Sequence, residues 1–388
     1  MTEIAPLLTW LEGPGRRLTE TEAFVEALGE QMLEIGLPID RITTGIPMLH
    51  PQIASSTVVW EPDKLAHERN WQITRLTRSM YERSPLYVVY RGEGPVRARV
   101  TQEPRLEEFG IIPDLREEGF TDYIALPAPF SDGTIKAMTF ATRRPEGFAD
   151  SDIAALQALM PHFAYLLEIQ TLRRTARVLL DTYVGRISGQ RVLQGQIKRG
   201  QGEDLRAIIW FSDLRGFTEL SDALSNEKLI ALLNDYFGAL VLAVEGQQGE
   251  VLKFIGDAML AIYPIATASS GRRAAQRALA SARAAQDRIA EINLARRSAG
   301  EAIIEWGLAL HVGEVHYGNI GGETRLDFTV IGPAVNLAAR LQSLSARLGE
   351  GCVISDDFAA LLRDRSELRD LGEHDLKGLT ERRQVYGL

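Results

Sequence analysis

The second half of this chain alternates between strand-like and helix-like segments in a fixed order. From Arg206 onward the order is strand, helix, strand, strand, helix, strand, and the pattern begins abruptly. A chain with this βαββαβ order must place its helices against a sheet, because each element buries an apolar face. We therefore predict that residues 203–388 form one α/β domain.

The first polar position of interest in this domain lies at the end of an apolar strand. The strand leads from Ile208 to Asp213, and Gly216 then opens a turn into a helix. This arrangement places a carboxylate at a strand tip, beside backbone N–H groups that can face a phosphate. Taken alone, an aspartate in this position is more often a helix cap or a turn residue.

A second carboxylate follows in a predicted hairpin. Gly256 and Asp257 separate two apolar strands, and Gly-Asp is a favourable turn in its own right. The alternative is that Asp257 lies beside Asp213, at neighbouring strand ends. Two carboxylates there can hold two Mg²⁺ ions, which take oxygen ligands and leave positions open for substrate phosphates.

A third polar pair is predicted on a helix. Pro333 suits the first turn of that helix, and Asn336 and Arg340 follow it four residues apart. The two side chains therefore project from one helical face. As an isolated pair, they are better explained as a solvent-exposed stripe.

Taken together, the three segments match the motifs of a known family. Phe211–Thr218 match F-x-D-x-x-G-F-T, Lys253–Asp257 match K-x-x-G-D, and Thr329–Arg340 contain G-x-x-V-N-x-A-x-R. In this order they closely resemble the catalytic domain of class III adenylate and guanylate cyclases. The resemblance covers about 203–388. It implies a ferredoxin-like βαββαβ fold (α/β, of the α+β type) that pairs head to tail as a homodimer, with two active sites between the copies.

The resemblance also implies a role for each motif residue. Asp213 and Asp257 of one copy would bind two divalent cations per active site, Mg²⁺ or Mn²⁺, which activate the ribose 3′-hydroxyl of ATP and neutralise its triphosphate. In the other copy, Arg340 would stabilise charge on the α-phosphoryl group and Asn336 would position the ribose. Lys377 would contact the triphosphate, and the alternative for this residue is an ordinary surface lysine.

The implied base-recognition residues favour ATP over GTP. In this family adenine is selected by Lys paired with Asp or Thr, and guanine by Glu paired with Cys; these positions here hold Lys253 and Thr329. Lysine only donates hydrogen bonds, which suits N1 of adenine, and the threonine hydroxyl can accept one from the exocyclic amine. We therefore expect an adenylate cyclase of the Lys/Thr subgroup, a lyase that produces cyclic AMP. The alternatives are a guanylate cyclase and a catalytically silent nucleotide-binding regulator.

The first half of the chain resembles a sensor domain. The block from Gly119 to Leu167 is similar to the closing hairpin and helix of GAF-like domains and, more faintly, to acyl-homoserine-lactone-binding domains. Strands are predicted at Arg41–Met48, Thr57–Glu61, Tyr87–Tyr90, Asp122–Pro129 and Ile135–Thr142. The predicted domains are a GAF-like α/β sensor domain over 1–149, a signalling helix and linker over 150–202, and the cyclase domain over 203–388.

A long helix is predicted from Asp150 to about Thr182, and two copies of it can pair as a parallel coiled coil. The predicted seam consists of its apolar residues Leu156, Leu159, Phe163, Leu166, Leu167, Ile169, Leu172, Val178 and Leu180. Because the implied active sites need both copies, a change in this helix pair can set their alignment. We therefore expect a small-molecule ligand or a protein to regulate the cyclase through the N-terminal domain.

Composition restricts the partners and location of the chain. The formal net charge of −9 argues against binding to nucleic acid or anionic lipid, and no helix-turn-helix pattern supports a transcription regulator. The single cysteine, Cys352, fits a reducing compartment. Neither a secretory signal nor a run of about 20 apolar residues is seen. We expect a cytoplasmic protein without a membrane or nucleic-acid partner.

Overall fold

The computed structural model describes residues 3–47, 53–72, 75–100, 109–377 and 381–388. Contacts along the chain divide it into two compact units, Met1–Leu179 and Leu180–Leu388. Each unit has its own hydrophobic core, so the two are described in turn.

The N-terminal unit consists of one antiparallel sheet with helices on both faces. Its helices are α1 (Ala5–Glu12), α2 (Thr21–Glu34), α3 (Arg75–Glu82), α4 (Pro85–Tyr90), α5 (Ile112–Glu117) and α6 (Asp150–Tyr183), the last extending into the second unit. Its strands are β1 (Arg41–Pro47), β2 (Ile53–Trp60), β3 (His67–Gln72), β4 (Val96–Arg99), β5 (Asp122–Pro129) and β6 (Ile135–Thr142).

The six strands have the spatial order β3-β2-β1-β6-β5-β4. Helices α1, α2 and α6 cover one face of the sheet, around Phe24 and Phe163, and α4 and α5 cover the other, around Val89 and Leu115. Because apolar side chains line both faces, this sheet is a central layer of the unit.

Most strands predicted for this unit are observed. β5 and β6 have the predicted bounds, and the strand predicted over Thr57–Glu61 overlaps β2, which ends at Trp60. The strand predicted from Arg41 is β1, and Met48 lies outside the described residues. Long runs of alternating or β-branched residues therefore predicted these strands correctly.

The strand predicted over Tyr87–Tyr90 is wrong, because this segment belongs to helix α4. The Ser84 hydroxyl accepts a hydrogen bond from the Leu86 backbone N–H, and Pro85 occupies the first turn of the helix. This N-cap and the preset φ of proline favour a helix, although valine and tyrosine are common in strands.

Helix α6 is 34 residues long and begins at Asp150, as predicted. Several residues of the predicted coiled-coil seam are nevertheless buried in the core of the N-terminal unit. These residues, each at most 6% exposed, are Leu156, Leu159, Phe163, Leu166 and Leu167. This part of the predicted seam is wrong, because the side chains already pack within their own chain.

The C-terminal unit is built on an eight-stranded sheet. Its helices are α7 (Arg186–Leu193), α8 (Phe217–Ala223), α9 (Asn226–Gly246), α10 (Ala268–Ser298), α11 (Pro333–Leu348) and α12 (Asp356–Ala359). Its strands are β7 (Gly202–Leu214), β8 (Glu250–Ile255), β9 (Ala258–Ile265), β10 (Trp306–Gly321), β11 (Leu326–Ile331), β12 (Cys352–Ser355), β13 (Arg369–His374) and β14 (Arg383–Gly387).

The elements β7, α9, β8, β9, α10 and β10 follow one another in the predicted βαββαβ order. Their strands have the spatial order β10-β7-β9-β8, which is the ferredoxin-like arrangement, and β11 pairs with β10. Alternate residues of β7 point to opposite faces. Ile208 and Trp210 enter the core beneath α9 and α10, whereas Ala207 and Ile209 pack on the other face with α11.

Among the described residues, one helix, α9, has the length and apolar composition needed to cross a membrane. Of its apolar 18-residue segment, 33% is buried. Its buried residues include Leu232, Tyr236, Leu240 and Val244, which lie in the core of the C-terminal unit. Their spacing of four residues marks one face of an amphipathic helix, in agreement with the sequence pattern.

The segment predicted as a linker contains a helix that is fixed to the sheet by a buried carboxylate. Glu250 begins β8 and is 4% exposed. It accepts hydrogen bonds from the Ser188 backbone N–H (3.0 Å), the Ser188 hydroxyl (2.8 Å) and the Tyr317 hydroxyl (2.9 Å). Burial raises the pKa of Glu250 above its ordinary value, and these hydrogen bonds oppose that rise.

Replacing Glu250 tests how much this buried carboxylate stabilises the unit. We expect Glu250→Ala to lower the free energy of unfolding by about 1–3 kcal/mol, because buried donors on Ser188 and Tyr317 lose their acceptor. Urea unfolding of the full chain, followed by circular dichroism, measures this loss. Glu245→Gln, at an exposed position of α9, is the control.

Glu250→Gln isolates the contribution of the charge. A carboxyl whose pKa is raised on folding stabilises the folded state below its unfolded pKa, and this contribution is lost as the pH rises. The difference in unfolding free energy between the Gln variant and the wild type should therefore favour the variant more at about pH 7.5 than at about pH 5. An equal difference at both pH values would contradict the raised pKa.

Candidate active site

The register of two strands brings the two predicted acidic residues to one edge of the sheet. Asp213 is the penultimate residue of β7, and Asp257 lies in the turn between β8 and β9. β7 pairs antiparallel with β9, with Ser212 opposite Met259, so the end of β7 lies next to this turn. Gly256 forms the turn with a φ of +65°, a conformation that favours glycine.

The two carboxylates are close enough to perturb each other. Burial, followed by the hydrogen bond and the negative charge of Asp257, raises the pKa of Asp213 to about 7. The Oδ1 atom of Asp213 is buried and has no hydrogen-bond partner among the described residues. A buried carboxylate oxygen without a donor is costly unless a cation or another ligand satisfies it.

This donor set fits a hard divalent cation. Carboxylate oxygens are the ligands that Mg²⁺ and Mn²⁺ prefer. Within the described ranges, no group of three or more His, Cys, Asp or Glu side chains is gathered for a metal. Asp213 and Asp257 can thus supply only part of a coordination shell, and the remaining ligands would come from backbone carbonyls, water or substrate phosphates.

The two predicted base-recognition residues lie on contacting strands. Lys253 in β8 forms an ion pair with Asp327 in β11, with 2.6 Å between Nζ and Oδ2. Thr329 lies two residues further along β11, on the same side of the strand as Asp327. Its side chain is 3% exposed, and Oγ1 has no partner in the described part of the chain.

Asp327 was not identified from the sequence as part of the site. Its position two residues before Thr329 was the available signal, because residues two apart in a strand share a face. The contact between Asp327 and Lys253 could not be anticipated, because the two residues are 74 positions apart.

The predicted helical pair is positioned by α11. Ala334, Ala338 and Leu341 are buried against the sheet, whereas Asn336 is exposed and Arg340 is half-buried. Over the described ranges, neither the Asn336 amide nor the Arg340 guanidinium has a hydrogen-bond or ion-pair partner within the chain. Both groups are therefore available to a ligand.

Close packing of α11 on β10 depends on a glycine. A Cβ atom at Gly313 would lie 2.5 Å from the Cβ of Ala334, in the first turn of the helix. No larger residue fits there without moving the helix. Gly313 thus keeps the helix that carries Asn336 and Arg340 close to the sheet.

Two further basic residues differ in their surroundings. Lys377 is exposed in a turn after β13, and its assignment to the triphosphate stays a prediction. Arg215, two residues after Asp213, is half-buried, and its guanidinium donates to the backbone carbonyls of Ser345 and Glu350. It therefore joins the end of β7 to the end of α11.

Comparison with known proteins identifies the family of the domain that contains these residues. Residues 203–388 match the family model described as the adenylate and guanylate cyclase catalytic domain. This part of the chain is therefore a class III adenylate/guanylate cyclase catalytic domain. Since the description names both activities, it does not distinguish ATP from GTP as the substrate.

Similar proteins include cyclases of both kinds. Adenylate cyclase 1 of Rhizobium meliloti is 26% identical over 258 residues, covering 65% of this chain and 38% of the relative. An adenylate cyclase of Anabaena cylindrica is 29% identical over 215 residues, covering 53% of this chain and 41% of the relative. This chain thus spans about two fifths of the length of these two relatives.

Two solved structures are also similar to this chain. The adenylyl cyclase CyaB from P. aeruginosa is 30% identical, covering 48% of this chain and 95% of that one, with a TM-score of 0.44. The guanylyl cyclase Cya2 is 30% identical, covering 48% of this chain and 92% of that one, with a TM-score of 0.43.

The paired carboxylates predict a pH-dependent affinity for metal ions. Mn²⁺ binding, measured by electron paramagnetic resonance, should strengthen about tenfold from about pH 6 to about pH 8, because a carboxyl with a pKa of about 7 loses its competing proton over this range. Asp213→Asn should weaken binding and remove this pH dependence. Asp222→Asn, at an exposed position of α8, should retain both, and equal pH profiles for all three proteins would contradict the assignment.

Proposed function

We propose that this chain is an adenylate cyclase that converts ATP to 3′,5′-cyclic AMP and pyrophosphate. The observation that carries the proposal is the proximity of Asp213 and Asp257 inside a domain of the cyclase family. The buried Oδ1 of Asp213 has no hydrogen-bond partner in the described part of the chain. We further propose that the enzyme works as a homodimer with two active sites, each of which uses residues from both copies.

The proposed reaction needs a nucleophile, charge neutralisation and alignment. Asp213 and Asp257 would hold two divalent cations, whose chemistry when bound is to lower the pKa of the ribose 3′-hydroxyl and to neutralise the triphosphate. Arg340 of the other copy would donate hydrogen bonds to the α-phosphoryl oxygens as their charge grows. Asn336 would hold the ribose so that its 3′-oxygen faces the α-phosphorus. Lys377 would contact the triphosphate.

The proposed preference for ATP rests on the donors and acceptors at the base. The Lys253 ammonium can donate to N1 of adenine, whereas guanine carries a hydrogen on N1. The Oγ1 of Thr329, which has no partner among the residues that the structure describes, can accept a hydrogen bond from the exocyclic amine. Asp327 supports this reading, because its ion pair holds the ammonium on the strand that carries Thr329.

The homodimer is supported by apolar surface near the carboxylates. Phe254 and Ile255 are 50% and 47% exposed, and they lie in β8 between Lys253 and Asp257. Two large apolar residues of α9, Ile230 and Leu242, are also exposed. Apolar side chains grouped beside a functional site are typical of a surface that is covered by another protein.

A sensor role for the N-terminal unit is supported by its architecture. Its sheet is covered by helices on both faces, and its last helix, α6, continues into the catalytic unit. We propose that it is a GAF-like domain whose ligand or protein partner regulates the cyclase. We also propose that the protein is located in the cytoplasm.

Product formation by the purified full chain tests the proposed activity. With Mg²⁺ or Mn²⁺ present, ATP should give cyclic AMP at a higher kcat/KM than GTP gives cyclic GMP. Asp257→Asn should lower turnover at least about a hundredfold, because it removes a charged ligand of both cations. Asp222→Asn is the matched control. Absence of product from either nucleotide, with nucleotide still bound, would favour a silent regulator instead.

Asp327→Asn tests base recognition separately from chemistry. Loss of a half-exposed ion pair should raise the KM for ATP about two- to fivefold, with a smaller change in kcat, because Lys253 is less well positioned. The ratio of ATP to GTP turnover should fall in parallel. Asp204→Asn, at an exposed acidic residue of β7, is the control, and an unchanged KM and ratio for Asp327→Asn would contradict this role.

Removing residues 1–149 tests regulation. If the N-terminal unit sets the alignment of the catalytic domains, the basal rate of cyclic AMP formation should change in the shortened chain. Identical kinetic constants for the full and shortened proteins would contradict regulation by this unit.

A further inference from the structure

The N-terminal unit has a cleft between helix α2 and the loop that follows strand β2. The cleft has a volume of about 340 Å³ and is open to solvent. Pro62, Asp63, Lys64 and Leu65 line it from the loop, and α2 lines it from the other side. Its volume lies at the lower end of the range for clefts that bind small molecules.

Part of the cleft is apolar and exposed. Leu65 of the loop is 79% exposed and Leu33 of α2 is 41% exposed, whereas Trp60, which also lines the cleft, is 3% exposed. Removing apolar surface from water is favourable, roughly in proportion to the area that is covered. A ligand with an apolar body would therefore gain free energy by covering Leu33 and Leu65.

Contacts at both ends of the loop hold the cleft in shape. The Trp60 ring lies so close to Gly29 of α2 that a Cβ atom at this glycine would be 2.4 Å from the ring. Beyond the loop, the Ala66 backbone N–H donates a hydrogen bond to the Glu26 carboxylate of α2 (3.0 Å). Because both ends of the loop are fixed to one helix, a ligand in the cleft has little chain to order.

The charged groups that line the cleft are mainly acidic. Glu30 of α2 and Asp63 of the loop are exposed, and within the described ranges neither carboxylate has a hydrogen-bond or ion-pair partner. The ammonium of Lys64 already forms an ion pair with Glu61, with 2.9 Å between Nζ and Oε2. A protonated amine beside Glu30 and Asp63 would therefore complement the charge of the cleft.

We infer that this cleft binds a small organic cation, with a protonated amine on an apolar aromatic or aliphatic body. The amine pairs with Glu30 and Asp63, and the body covers Leu33 and Leu65. Helix α2 shares a core with α6, and α6 continues into the catalytic unit. Regulation of the cyclase by such a ligand rests on the proposed function, whereas binding does not depend on it.

Three indole compounds that differ only in their head group test the recognition of charge. At about pH 7 tryptamine is a cation, tryptophol is neutral and indole-3-propionate is an anion. Binding of each to the full chain is measured by ligand-detected NMR. Tryptamine should bind about fivefold more tightly than tryptophol, because exposed ion pairs contribute modestly, and the propionate should bind most weakly. Equal affinities for the three compounds, or no binding of tryptamine, would overturn the inference.

A double variant tests whether the amine is recognised in this cleft. In Glu30→Gln/Asp63→Asn, tryptamine and tryptophol should bind with equal affinity, because the variant removes charge and keeps the size of both side chains. Glu12→Gln, at an exposed position of α1, is the matched control and should keep the preference for tryptamine. A preference that persists in the double variant would place the cation elsewhere and overturn the inference.

Leu65→Ser tests the apolar part of the cleft. It should weaken binding of all three compounds about two- to fivefold, because less apolar surface is covered. Leu294→Ser, at a 63% exposed position of α10, is the control, and equal affinities for Leu65→Ser and the wild type would contradict the inference. None of these measurements uses turnover. Binding without cyclic AMP formation would therefore sink only the proposed function, and cyclic AMP formation without binding would sink only this inference.

Discussion

The C-terminal unit depends on the position of β7 between β9 and β10. This register brings the end of β7 beside the β8–β9 turn and so places two carboxylates, Asp213 and Asp257, at one edge. Burial and mutual repulsion raise the pKa of Asp213 to about 7, a cost that no described side chain relieves. An arrangement selected for stability alone would avoid such a pair, so its presence in a cyclase domain supports the proposed cation site.

The parts of this site that the sequence predicted are those set by local pattern. Asp213 lies at the end of a strand-like run that is apolar from Ala207 to Phe211, and Asp257 follows a glycine in a hairpin, so their places at strand ends could be inferred from neighbouring residues. The four-residue spacing of Asn336 and Arg340 likewise required them to share a helical face. β5 and β6 were predicted with their observed bounds because a strong turn joins two strand-like runs.

The features that the sequence did not predict depend on contacts between distant residues. Lys253 and Asp327 are 74 positions apart, and Ser188 and Glu250 are 62 apart, so no local pattern joins either pair. In α6, apolar residues occupy two faces, and the sequence could not tell which face is buried. The structure assigns Leu156 and Phe163 to the core, which leaves Tyr165, Leu172 and Tyr183 exposed. In α4, the cap at Ser84 outweighed strand-favouring residues.

The central claim is that each active site uses the carboxylates of one copy and the helical pair of the other. Mixing Asp257→Asn with Arg340→Ala tests it most directly, because each variant alone lacks a residue in both sites. If the sites are shared, mixed dimers regain one intact site, and an equimolar mixture should recover about a quarter of wild-type cyclic AMP formation. If both residues serve the same copy, the mixture will stay as inactive as its components, and the account will be contradicted.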